Sequence, residues 1–195
     1  MANVKKKIIL AASVLAICAA MAGTGTLAYF VVEDTATNVI TTGGIDIDLV
    51  EKTKLADGSM VDFPEKMEGI MPGTTVSKIV SVKNTGPNSA WVRVKVDAEI
   101  SNASGEKLSL EVGGGKAMDV QIQDGWTDGG DGYFYFDKKL KPGKSTPALF
   151  EEVYFNANMD NSYQSSTAMI TVKAEAVQTD NNGDTVMEAA GWTNA

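Results

Sequence analysis

Apolar and polar residues alternate along much of this chain after residue 44. From Ala90 to Ile100, Val92, Val94, Val96, Ala98 and Ile100 share one face, and Trp91, Arg93, Lys95, Asp97 and Glu99 share the other. A period of two sustained over that length predicts an antiparallel strand with one buried and one solvated face. Ile45, Ile47 and Leu49 alternate with Asp46 and Asp48, with Glu51 close by, and predict a half-buried strand over 45–51. Further strands are predicted over 76–84, 108–112, 118–123, 133–136, 149–155 and 168–178, about eight in all.

Turn signals separate these segments. Asp57-Gly58, Met71-Pro72-Gly73, the run Asn84 to Asn88, Gly113-Gly114-Gly115 and Leu140-Lys141-Pro142-Gly143 all punctuate the pattern. Residues 53–68 read as a loop or an irregular hairpin. Residues 156–166 read as a polar loop with one helical turn, and 186–192 as a short helix or an edge segment. The two Pro-Gly sites read as two equivalent sheet corners. No long helical period follows residue 44. The fold class expected is all-β, an antiparallel β-sandwich of jelly-roll type.

The first 43 residues follow a different pattern. Lys5, Lys6 and Lys7 precede an apolar run of fifteen residues, Ile8 to Ala22. Small side chains at Thr26 and Ala28 then suit the −3 and −1 positions of a signal peptidase site, with Tyr29 as the new terminus. This predicts a signal peptide over 1–28, an N-terminal arm over 29–43 and a sandwich domain over 44–195. A retained anchor is the competing reading, because no charge lies between Lys7 and Glu33. Gly23 to Thr26 interrupt that segment, however, and no basic stop-transfer cluster follows. Ile17, placed before the lone Cys18, does not suit a lipidation signal.

Processing would change the charge. Losing the three lysines takes the basic count from 17 to 14 against 25 acidic residues, and the net charge from −8 to −11. A domain that acidic is disfavoured at nucleic acid and at anionic membranes. Membrane contact is expected only through an uncleaved signal. The 167 remaining residues suffice for one domain with a sizeable core. They hold no cysteine and no histidine, which removes disulfides, the commonest general base and the commonest zinc ligand.

Candidate chemistry is sparse. Asp46 and Asp48 sit at i and i+2, which alternation reads as a solvated strand face. Asp124 to Gly132 and Asp180 to Asp184 are rich in Asp and Gly, but both fail the calcium-loop spacing. From Asp124, position 3 is Trp126 and position 12 is Tyr135. Both read as turns. The aromatic run Tyr133 to Phe136 reads as core packing and a cross-strand ladder, with a sugar-stacking platform as the alternative. No catalytic residue, metal ligand or cofactor is expected.

Gly25 to Phe30 (GTLAYF), Asp34, Asn38, Thr42-Gly43 and the Ile45–Glu51 strand resemble the start of TasA and camelysin-type exported proteins. The likeness continues at Met71-Pro72-Gly73, Val82 to Gly86, Ala90 to Val94, Leu140 to Gly143, Asn161 to Gln164 and Ala174 to Gln178. The resemblance covers nearly the whole chain. It implies processing by the signal peptidase SipW in a Gram-positive bacterium, a jelly roll, export, and assembly into extracellular biofilm fibres. The implied partners are further copies of the chain and a related matrix subunit. A surface adhesin or ligand-binding module is an alternative on the same fold. The protease activity described for camelysins finds no H-E-x-x-H here, since histidine is absent.

The arm carries the assembly expectation. Thr35, Thr37, Val39, Ile40 and Thr41 favour extended backbone. Once freed, the arm is expected to add as a strand to the next subunit, or else to fold back on its own domain. Within the domain, Val94→Asp is expected to cost several kcal/mol and Arg93→Asp within roughly 0.5 kcal/mol.

Overall fold

The computed structural model describes residues 30–36, 40–41 and 44–192. The expected signal peptide, its cleavage residues Thr26, Ala28 and Tyr29, and the arm residues Thr37 and Val39 lie outside them.

Alternating sequence gives strands throughout. In chain order they are β1 (Phe30–Ala36), β2 (Ile40–Thr41), β3 (Ile47–Lys54), β4 (Met60–Asp62), β5 (Lys66–Ile70), β6 (Thr75–Asn84) and β7 (Ala90–Ser101). These are followed by β8 (Glu111–Val112), β9 (Gly115–Lys116), β10 (Met118–Val120), β11 (Trp126–Asp128), β12 (Tyr133–Phe136), β13 (Phe150–Phe155) and β14 (Ser166–Gln178). The first sheet runs β11-β12-β7-β14-β1-β5, with β2 also on β14, and the second runs β10-β13-β6-β3-β4. Val80, Val82, Val92, Val94, Ile100, Phe150, Phe155 and Ile170 fill the space between them.

The chain crosses from one sheet to the other on both flanks. Phe63 to Glu65 lead from β4 to β5, and Gln121 to Gly125 lead from β10 to β11. The predicted loop over 53–68 is therefore two short edge strands and a crossing. The helical turn expected in 156–166 is a 3-10 turn at Asn161–Tyr163. The segment 186–192 forms neither helix nor strand.

The Asn84–Asn88 turn meets the Leu140–Gly143 corner. The Asn84 side-chain amide donates to the carbonyls of Leu140 and Asn88, at 2.8 Å each, and its Oδ1 accepts from Gly86 N–H at 2.9 Å. Gly143 N–H bonds the Asn84 carbonyl and Asn84 N–H the Lys144 carbonyl. Gly86 is required here, because a Cβ would come within 2.7 Å of Asp46 N.

Two expectations need correction. The sandwich is antiparallel except that β1 and β2 run parallel to β14. The outer face of β7 is not uniformly wet, since Trp91 and Arg93 are buried. The chain after β14 returns over that face, where Trp91, Tyr133, Tyr135, Val177, Val186 and Ala189 form a second apolar cluster with Trp192 against it. Trp91 Nε1 donates to the Asn182 carbonyl at 3.0 Å, which pins the returning segment.

Candidate assembly interface

The N-terminal arm folds back on its own sheet. Position by position, Phe30 to Ala36 pair in parallel with Ser166 to Val172. Farther along, Ile40 and Thr41 pair with Glu175 and Ala176, so the register has moved by one residue. The other side of β1 pairs antiparallel with β5, from Phe30↔Ile70 to Glu33↔Lys66. A one-residue bulge falls at Gly69, whose φ of 77° suits glycine. Val32 enters the core. The expected arm residues Thr35, Ile40 and Thr41 are thus strand positions beside β14, rather than a free tether. The slot between β14 and β5 takes one strand and uses both of its hydrogen-bonding edges.

Two clusters of buried charge lie in this sheet system. The first is on the outer face, under the returning C-terminal segment. Arg93 Nε and Nη2 donate to Glu175 Oε2 at 2.9 and 2.7 Å, and Nη1 donates to the Tyr135 hydroxyl at 3.1 Å. Tyr135 in turn donates to Asp131 at 2.7 Å, and Tyr133 donates to Glu175 at 3.2 Å. The guanidinium lies 3.8 Å from the Tyr133 ring centroid and 4.8 Å from that of Trp192. Burial works against the Arg93 charge, but bonds to Tyr135 and Glu175 outweigh it and raise the pKa. Burial likewise opposes the Asp131 carboxylate, yet the Tyr135 hydroxyl and Tyr133 N–H hold its pKa below the usual range. Burial and the bond to Asp131 raise that of Tyr135. Lys173 bonds Glu175 at 2.7 Å, which raises its own pKa.

The second cluster is inside the sandwich. Period two on β6 puts Val76, Lys78, Val80 and Val82 on one face, and all four are buried. Lys78 is 1% exposed. Its Nζ stands 2.9 Å from Glu51 Oε1 and 4.0 Å from the centroid of the Phe63 ring. Glu51 belongs with Ile47 and Leu49 on the inward side of β3, not with Asp46 and Asp48. The signal for this pair was present in the sequence as a lysine among core valines.

The other candidates stay apart. Asp46 and Asp48 are exposed. Among the described residues no group of three His, Cys, Asp or Glu is placed to hold a metal ion. Tyr133 and Tyr135 are covered by the returning segment, and Phe136 belongs to the core. No protein-family model matches the chain, and no curated protein or solved structure matches it either.

Proposed function

We propose that this is an exported structural protein whose copies join by exchanging β1, forming extracellular fibres. The sandwich is read as a jelly roll, and the segment before Tyr29 as its signal peptide. Support comes from the sequence resemblance and from one structural observation. β1 lies in a two-sided slot that its own chain fills, between β14 and β5.

A strand from a second copy can make the same bonds in the same register. Exchange therefore conserves the pairings and changes only the path of the linking residues, the condition under which domain swapping costs little. Closed pairing gives a monomer. Passing each β1 to the next copy is a heterologous contact, which propagates. While the arm is joined to an uncleaved signal it stays at the membrane, so processing would time assembly.

The test uses a shortened protein that begins at Gly43. Without β1, the β14 edge is open and β5 loses its only sheet neighbour among the described strands. A synthetic peptide of residues 29–42 is expected to bind the shortened protein and restore its stability. The protein beginning at Tyr29 is expected to form fibres visible by electron microscopy. If the shortened protein forms the same fibres without the peptide, β1 exchange is not the mechanism.

A further inference from the structure

The segment that returns over β7 after β14 is fastened at Asn182. Its Nδ2 donates to the carbonyls of Gln178 and Ala190, at 2.9 and 3.0 Å, and its Oδ1 accepts from Ala190 N–H at 2.7 Å. Its own carbonyl accepts from Trp91 Nε1 at 3.0 Å. These bonds close the loop over 178–190 and tie it to β7. The next residue is Gly183, and the sequence holds no other Asn-Gly pair. Gly183 is exposed, with a φ of 71°. Its N–H has no acceptor among the described residues. A Cβ there would come within 3.0 Å of the Glu188 backbone, so the fold requires glycine. A polar recess of about 500 Å³, lined in part by Lys139, Asn182, Gly183 and Glu188, opens the site to water. The side chain that fastens the segment is therefore also the amide most easily lost. Glycine sets no side chain in the way of its own nitrogen, which can reach Cγ of the asparagine before it.

We propose that Asn182 is a deamidation site that works as a one-way latch. The Gly183 nitrogen attacks Cγ of Asn182 and gives up its proton, so that an N–Cγ bond forms. The Cγ–Nδ2 bond breaks, and Nδ2 leaves with that proton as ammonia. A five-membered imide remains. Water then adds to one of its two carbonyls. Where the N–Cγ bond breaks, residue 182 becomes aspartate. Where the bond from that nitrogen to the backbone carbonyl carbon breaks, it becomes isoaspartate, which lengthens the main chain by one carbon. Net, an amide and water give a carboxylic acid and ammonia, with no oxidant or reductant.

Cyclisation turns the side chain away from Gln178 and Ala190, so it proceeds from molecules whose segment has lifted. Closing cannot undo it. A carboxylate has no proton for the two carbonyls that Nδ2 served. Residues 179–192 then stay loose, and Trp91, Arg93 and Tyr135 beneath them are uncovered. The outer face of β7 and β14 is thus a covered surface with a timed release. None of this rests on the exchange of β1.

Peptide mapping of the folded protein, aged in buffer, tests this. Trypsin frees 174–195 in one piece, since no Lys or Arg follows Lys173. The acid form at residue 182 is expected to build up ahead of that at every other asparagine. A synthetic peptide of residues 174–195 is expected to react roughly tenfold faster than the folded protein, because closed molecules are withheld from the reaction. Trp192→Ala should close part of that gap. Asn182→Asp should lose the protection of 179–192 against proteolysis from the outset. Deamidation no faster at Asn182 than at the other asparagines, equal rates in the peptide and the folded protein, or an Asn182→Asp variant as resistant to proteolysis as wild type would each overturn the proposal.

Discussion

Arg93 and Glu175 are register partners on β7 and β14, and two guanidinium nitrogens converge on one carboxylate oxygen. Both residues are nearly sealed from water, at 6% and 2% exposure. Removing Glu175 takes away the carboxylate that two guanidinium nitrogens share and leaves buried Arg93 with the half-exposed Asp131 at 3.8 Å. Glu175→Ala is expected to destabilise the protein by about 3–5 kcal/mol, whereas replacing both with apolar residues of similar volume should cost much less. Urea denaturation of the single and double mutants checks this. A double mutant as unstable as the sum of its parts would contradict it.

Trp192 stacks over the same guanidinium and meets Tyr135 edge-on, with ring centroids 6.0 Å apart. Trp192→Ala is expected to cost about 1–2 kcal/mol from the lost cation–π contact and ring packing. It should also speed proteolysis between Thr179 and Trp192. Unchanged cleavage would mean that the segment is held without its terminal ring.

Asp131 gives a pH signature. Its folded pKa lies below the ordinary value, so its contribution is fully present above the unfolded carboxylate pKa of about 3.9. That contribution is lost as pH falls through the lowered folded value. Wild type should therefore exceed Asp131→Asn in stability by a constant margin above about pH 5, and the margin should close in more acidic solution. Melting temperatures from pH 7 to pH 2 read this out. A margin that widens on acidification would reverse the sign.

Asn84 ties its own turn to the Leu140 corner with three side-chain hydrogen bonds and has no exposed surface. Asn84→Ala removes the side-chain donor from the Asn88 carbonyl and leaves the Leu140 carbonyl with Ala90 N–H and Gly86 N–H with the Asp46 carbonyl, and is expected to cost about 1–3 kcal/mol. Asn84→Asp should be nearly as severe, since a carboxylate cannot donate to Leu140 and Asn88. Thermal unfolding of both variants decides the point.

The long strands were legible because each pairs over many residues and buries one face. β6, β7 and β14 stand where the alternation put them. Arg93 was misread because alternation reports which face a residue takes, not what later covers that face. Its cover comes from the chain after Gln178, which has no strand or helix period of its own. Arg93→Asp is therefore expected to be as damaging as Val94→Asp, because it sets a carboxylate against Glu175. The core pair was missed for a different reason. The strand over 76–84 was predicted without assigning its faces, and period two places Lys78 with the valines. The parallel seat of β1 was not legible either. Its partners are far apart in sequence, and Thr, Val and Ile suit any extended neighbour.

That parallel seat also sets an order of events. Phe30 and its partner Ser166 are separated by 136 positions. At roughly 5–20 residues per second, a ribosome needs about 7–27 s to cover that interval. Throughout it, β5 is the only β1 neighbour already synthesised. The first strand made therefore waits for the last, and the sheet can close only when nearly the whole chain is present. A nascent chain spends that interval with one β1 edge open, within reach of any other chain that offers a complete β14.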